Sequence, residues 1–220
     1  MNGEIKEGSE ITSLNFPNTL SVLRIVLSPV FAILFLSGSV LSAQVSLLVF
    51  TVAALTDWYD GWYARKYGFR TRWGRFLDPL ADKILTSTAL ICFLLLKHQD
   101  ARFFGDVQML RLEILVAIIV ARDIVLTAVR SYKELKGREF STSLISKAKT
   151  LIQMTYIFVF IFFFVVNVSG GSGFLNNLSE AFLYTNLNYY ILMLVALLTV
   201  ASGVAYIFES RPRAGKLSGA

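Results

Sequence analysis

Ile157-Phe158-Val159-Phe160-Ile161-Phe162-Phe163-Phe164-Val165-Val166 is an unbroken apolar run whose natural environment is lipid. Crossing about 30 Å of hydrocarbon takes roughly 20 helical residues, and the stretch around this run, 148–168, supplies them. Outward in both directions similar stretches recur at 20–37, 41–63, 77–97, 112–131 and 188–208. The expectation is an all-α integral membrane protein with six transmembrane helices. Composition agrees: 55% of the 220 residues are hydrophobic, 16% are charged and the mean hydropathy is +0.60, too apolar for an ordinary soluble domain. Pro29 falls inside the first span, where neighbouring groups can satisfy the carbonyl it frees.

The net charge of +6 is concentrated between the spans. Arg65, Lys66, Arg70, Arg72 and Arg75 follow span two; Lys133, Lys136 and Arg138, flanked by Arg130, Lys147 and Lys149, separate spans four and five; Arg211, Arg213 and Lys216 lie in the tail. The connections after spans one, three and five carry little basic charge. Basic segments stay in the cytosol, so a multi-pass protein of the cell membrane is expected, with both termini and the two basic connections inside. This placement explains the charge without a nucleic-acid partner. Residues 1–17 read as a polar cytoplasmic or interfacial segment, without the pattern of a cleaved signal, 18–210 as the membrane domain and 211–220 as a cytoplasmic tail. Gly170-Gly171-Ser172-Gly173 marks a flexible outer loop in 169–187. Cys92 reads as a buried small hydrophobe and His98 as an interfacial loop residue, so neither suggests a thiol or zinc site. Trp58, Trp62 and Trp73 fit the headgroup level as anchors.

Against this apolar background stand four acids, in Asp57-x-x-Asp60-Gly61-x-x-Ala64-Arg65 and Gly74-x-x-x-Asp78-x-x-x-Asp82. Acids beside hydrocarbon are costly unless compensated, which makes the cluster the leading candidate for the functional centre. Asp57 and Asp60 share a helix face at the inner end of span two, as do Asp78 and Asp82 at the inner start of span three. Antiparallel helices joined by the short basic connection can bring the pairs together as four hard oxygen ligands. Carboxylates so close raise one another's pKa, and two Mg2+ or Mn2+ ions would offset the charge while leaving positions for phosphate oxygens. Pro79 suits an early helical position, with Asp78 as cap and Asp82 about 6 Å further along the axis. Gly61 and Ala64 have so little bulk that a nucleotide or diphosphate can approach the backbone, or else two helices can pack closely. Arg65, beside Asp60, is placed either to contact phosphate or to anchor the chain at the membrane.

The whole block, Asp57-Trp58-Tyr59-Asp60-Gly61-Trp62-Tyr63-Ala64-Arg65, then Gly74-Arg75-Phe76-Leu77-Asp78-Pro79-Leu80-Ala81-Asp82, resembles the signature of the CDP-alcohol phosphotransferase family in residue type and spacing. The resemblance implies transfer of a substituted phosphate from a CDP-linked donor to an alcohol, with divalent metal and release of CMP. It implies that Asp57, Asp60, Asp78 and Asp82 bind metal, that Asp78 and Asp82 are catalytic with Asp82 as general base, and that Gly61, Ala64, Arg65, Gly74 and Asn18 line or shape the donor site. It also implies a homodimer.

Pro17-Asn18-Thr19-Leu20-Ser21-Val22-Leu23-Arg24, Ala121-Arg122-Asp123 with Arg130, and Ser146-Lys147-Ala148-Lys149-Thr150-Leu151-Ile152-Gln153 look like stretches of the bacterial branch that uses CDP-diacylglycerol as donor and glycerol 3-phosphate as acceptor. The chain departs from that branch with Ser21 for threonine, Asp123 for glutamate and Ser146 for glycine. A dianionic acceptor needs a basic site apart from the acids. Arg122, about 12 Å inside its span, is the first candidate, followed by Arg130, Lys147 and Lys149. Arg122 can alternatively do no more than pair with a buried acid, and the others can serve sidedness alone. Acceptors such as inositol phosphate, inositol, serine or phosphatidylglycerol are the rivals within the family. A cation transporter is the rival outside it, disfavoured because the acids cluster at one end and the last spans are uniformly apolar.

Overall fold

The computed structural model describes residues 16–67, 72–135 and 144–209. All regular structure among them is helical: α1 Phe16–Leu36, α2 Val40–Tyr67, α3 Arg72–Gln99, α4 Met109–Leu135, α5 Leu144–Val168, α6 Phe174–Leu183 and α7 Asn186–Glu209. The expected N-terminal segment (but for its last residues), the middle of each basic connection and the C-terminal tail lie outside the described residues.

Each expected span falls on a long helix. Four carry an apolar stretch that meets the length of a bilayer crossing: Thr19–Leu36, Pro79–Gln99, Ala148–Val168 and Asn186–Val204. The protein is therefore an all-α, multi-pass membrane protein with at least four such helices. In α2 the described apolar part is Val40–Thr56, and α4 carries Arg122 and Asp123 at its middle. In α4 these charged residues weaken the hydropathy signal.

Local sequence misled in two places. The segment expected to be a flexible outer loop contains α6, whose Ser179, Phe182 and Leu183 are buried while Phe174 and Leu175 are exposed. Its apolar spacing was masked by the glycines before it, of which Gly170 and Gly173 do turn the chain, at φ 67° and 143°. Pro79 is not in a first turn. Helix α3 begins at Arg72, so Asp78 and Pro79 lie within it, and the carbonyl four residues before Pro79 loses its usual donor. Helices α2 and α3 share a neighbour. Helix α1 packs along both, and among the described residues they touch each other only slightly. Asn18, in the first turn of α1, thus belongs to a helix that packs against both of the helices carrying the acidic motifs.

Aromatic rings fill the interior. Phe93 of α3 stacks on Phe160 of α5 with centroids 3.8 Å apart, and Phe35 of α1 meets Phe164 of α5 at 4.6 Å. Phe31, Phe35, Phe50, Phe93 and Phe160 are essentially inaccessible, whereas Ile33, Leu41, Leu48, Leu151 and Leu197 face outward as lipid-facing residues should. At the end of α3 away from the acids, Lys97 Nζ donates to the Gly105 carbonyl oxygen at 2.8 Å, and Phe104 N–H donates to the Leu183 carbonyl oxygen at 2.9 Å, tying the α3–α4 loop to α6. Helix α4 packs against α3 and α7, and α5 against α2, α6 and α7. That arrangement aims one face of α4 at three other helices' polar residues.

Candidate active site

Asp57, Asp60, Gly61, Ala64 and Arg65 occupy the C-terminal half of α2, and Gly74, Asp78 and Asp82 the N-terminal half of α3. Their helical register puts each acidic pair on one face. Among these residues the structure describes the side chain of Asp82; those of Asp57, Asp60, Asp78, Arg65 and Asn18 lie outside the described residues, as do those of Arg130 on α4 and Lys147 on α5.

Asp82 is 13% exposed, and its Oδ2 lies 2.9 Å from Lys83 Nζ. Its other oxygen, Oδ1, is buried and, among the described residues, accepts no hydrogen bond. A buried carboxylate oxygen without a donor is costly; it is suited to a cation or to a proton arriving with substrate. Among the described residues no three His, Cys, Asp or Glu side chains gather as metal ligands.

Lys83 reaches a second acid as well, with Nζ 3.9 Å from Asp123 Oδ2. Asp123 is 2% exposed and is the hub of a cationic cluster. Lys149 of α5 donates to its Oδ1 and Oδ2 at 2.5 and 2.7 Å, and Arg122 Nη1 donates to Oδ1 at 2.9 Å. Arg122 Nη2 donates to Ser202 Oγ of α7 at 2.6 Å. Among the described residues, three cations thus surround two carboxylates, an excess of one positive charge within that set. Charges within membrane-embedded helices persist when paired in this way, and they commonly mark functional sites. A cavity of about 230 Å³ between α3 and α4 begins beside the cluster, lined by Lys83 together with Leu80, Ile84, Ser87, Ile124 and Thr127.

Of the basic residues singled out in the sequence, the structure brings Arg122 and Lys149 together through Asp123. The pairing of Arg122 with a buried acid is observed, and the acid is its own neighbour. Sequence reasoning missed Lys83, whose signal was a lysine placed directly after the last acid of the motif and inside a span. It missed Ser202 altogether, as an ordinary small polar residue in an apolar helix.

A bundle that sets a carboxylate beside an anion-hungry cluster within its membrane helices defines a class: membrane enzymes that handle anionic substrates. The sequence comparisons define the family. Residues 14–201 match the CDP-alcohol phosphatidyltransferase family, and the chain belongs to it. It is 33% identical over 193 residues to the CDP-diacylglycerol–glycerol-3-phosphate 3-phosphatidyltransferase of Rickettsia bellii, covering 87% of this chain and 93% of that protein. Proteins with the same name from Escherichia coli and Salmonella paratyphi A are each 34% identical over 142 residues, covering 64% of this chain and 72% of theirs.

Proposed function

We propose that this protein transfers the phosphatidyl group from CDP-diacylglycerol to glycerol 3-phosphate and releases CMP, as the names of its relatives state for them. The observation that carries this reading is the juxtaposition, through Lys83, of the Asp82 carboxylate with the Lys83, Arg122 and Lys149 cluster. A nucleophilic hydroxyl needs a nearby proton acceptor, and an acceptor bearing a phosphate needs cations that the acids do not already neutralise.

In this reading the 1-hydroxyl oxygen of glycerol 3-phosphate attacks the phosphorus that bears diacylglycerol. A new P–O bond forms, the bond from that phosphorus to the bridging oxygen breaks, and CMP departs with the electron pair. Asp82 Oδ1 takes the hydroxyl proton, and Lys83 holds Oδ2 so that Oδ1 keeps its aim. Arg122 and Lys149 bind the acceptor phosphate, assisted by Arg130 and Lys147. Asn18, Gly61, Ala64, Arg65 and Gly74 shape the cytidine diphosphate site, where small side chains let the diphosphate approach the helices.

Asp57, Asp60, Asp78 and Asp82 would hold divalent metal, Mg2+ or Mn2+, and the orphaned Asp82 Oδ1 fits a cation ligand as well as it fits a proton acceptor. Bound metal would draw charge from the diphosphate as it leaves. The full architecture is read as six spans within 18–210, with 1–17 and 211–220 in the cytosol, the site at the inner leaflet and two copies per enzyme. The positive-inside distribution of Lys and Arg supports that orientation. Donor acyl chains then stay in lipid between helices while the headgroup enters the site.

The aromatic interior disfavours a transporter. Phe93 lies about 16 Å along α3 from Asp82, and its ring and that of Phe160 fill the bundle there. The deciding experiment is an acceptor panel: purified protein in mixed micelles with CDP-diacylglycerol, Mg2+ and, in turn, glycerol 3-phosphate, inositol phosphate, inositol, serine or phosphatidylglycerol, with the lipid product weighed by mass spectrometry. Phosphatidylglycerophosphate with the first acceptor is expected. A product with another acceptor and none with glycerol 3-phosphate would refute the assignment.

A further inference from the structure

Arg122 is fixed from two sides, and one of them is α7, a helix that contributes nothing else to the proposed chemistry. Its Nη1 donates to Asp123 Oδ1 at 2.9 Å and its Nη2 to Ser202 Oγ at 2.6 Å. Ser202 has one hydroxyl hydrogen, and it is directed at the Thr199 carbonyl oxygen, 2.9 Å away. The oxygen therefore faces Arg122 as an acceptor, which is the role a guanidinium requires. With both terminal nitrogens held, the planar group has a fixed orientation. The Nε donor is buried and, among the described residues, has no hydrogen-bond partner.

Gly203 completes the arrangement. A Cβ at this position would stand 3.3 Å from Arg122 Nε and 3.7 Å from its Cγ, so even alanine would press on the shaft of the arginine. Ser202 and Gly203 are both buried against α4. One supplies an anchor and the other supplies room.

We propose that Ser202 and Gly203 are positioning residues of the acceptor site, setting the reach and tilt of Arg122 and so the affinity for the phosphorylated acceptor. The proposal rests on the reading of Arg122 as a ligand of the acceptor phosphate. Small residues also let membrane helices pack closely. Packing alone, however, would alter stability or both substrates together, whereas positioning acts on one substrate. Binding that depends on a correctly aimed fork weakens when the fork is misplaced, even though the charge remains.

The test is steady-state CMP release, with glycerol 3-phosphate varied at saturating CDP-diacylglycerol and the reverse, for Ser202→Ala, Ser202→Thr, Gly203→Ala, Arg122→Gln and the double variant Ser202→Ala with Arg122→Gln. Ser202→Ala and Gly203→Ala are expected to raise KM for glycerol 3-phosphate about tenfold, the scale of one charge-assisted hydrogen bond. Their kcat should stay within about threefold and their KM for CDP-diacylglycerol should hold. Ser202→Thr, which keeps the hydroxyl, should recover most of the affinity. In the Arg122→Gln background, Ser202→Ala should add nothing, because the residue through which it acts is gone. If Arg122→Gln raises that KM and neither α7 variant does, the positioning proposal is wrong and the acceptor reading stands. If Arg122→Gln leaves it unchanged, the acceptor reading fails and this proposal with it. Equal changes in both KM values would assign Ser202 and Gly203 to helix packing and overturn the proposal. Should Gly203→Ala not fold, the alanine and threonine variants of Ser202 decide alone.

Discussion

Lys149 Nζ donates to both carboxylate oxygens of Asp123, at 2.5 and 2.7 Å, joining α5 to α4 inside the bundle. Asp123 is also shared with Arg122 at 2.9 Å and approached by Lys83 at 3.9 Å, so its one negative charge is the common partner of two cations and a near neighbour of a third. Removing one partner of a buried ion pair typically costs about 3–5 kcal/mol, because the remaining charge has lost its counter-ion. Asp123→Ala is therefore expected to lower the thermal unfolding temperature in detergent strongly and to weaken glycerol 3-phosphate use. Asp123→Glu, which keeps the charge, should lose less of both. An unchanged melting temperature in Asp123→Ala would show that the cations are hydrated rather than paired.

Asp82→Asn preserves shape and removes basicity. If Asp82 Oδ1 receives the acceptor proton, turnover should fall by about 100-fold or more, the usual scale for loss of a general base. Binding of CDP-diacylglycerol, measured by calorimetry, should change far less. Undiminished turnover would remove Asp82 from that role.

Chelation addresses the acids as a set. Treatment with EDTA should stop CMP release, and added Mg2+ or Mn2+ should restore it, since a dense group of carboxylates favours hard divalent cations. Titration of Mn2+ followed by electron paramagnetic resonance gives a readout independent of turnover, and Asp57→Asn or Asp60→Asn should weaken it. Release of CMP that ignores chelation would contradict the metal reading.

The aromatic interior predicts a stability effect remote from the site. Phe160 is fully buried and stacked on Phe93 at 3.8 Å. Phe160→Ala should destabilise the bundle by about 3 kcal/mol, the lower end of the range for such truncations, because lipid solvates the ring better than water does and the loss is chiefly one of packing. Thermal unfolding in detergent measures it. KM for either substrate should move little.

The bilayer-length helices were legible without coordinates, because 148–168 and its counterparts exceed what any soluble core requires. The spacing of Asp57 with Asp60 and of Asp78 with Asp82 along α2 and α3 is likewise a matter of 3.6 residues per turn. Such features depend on neighbours a few positions apart, and the chain carries that information locally. Helix α6 was less legible, since one short amphipathic turn sequence behind four loop-forming residues gives little periodicity to read.

Only the tertiary structure decided which cations converge and on what. Arg122 and Ser202 are 80 positions apart, and Lys149 is 26 positions from Asp123. Whether they meet depends on the rotation of each helix about its axis, which is fixed by side-chain packing across the bundle and leaves no local trace in the sequence. The same holds for α1 lying along both α2 and α3. Sequence determined that the helices enter lipid and where their acids lie along them; packing determined which faces turn toward one another.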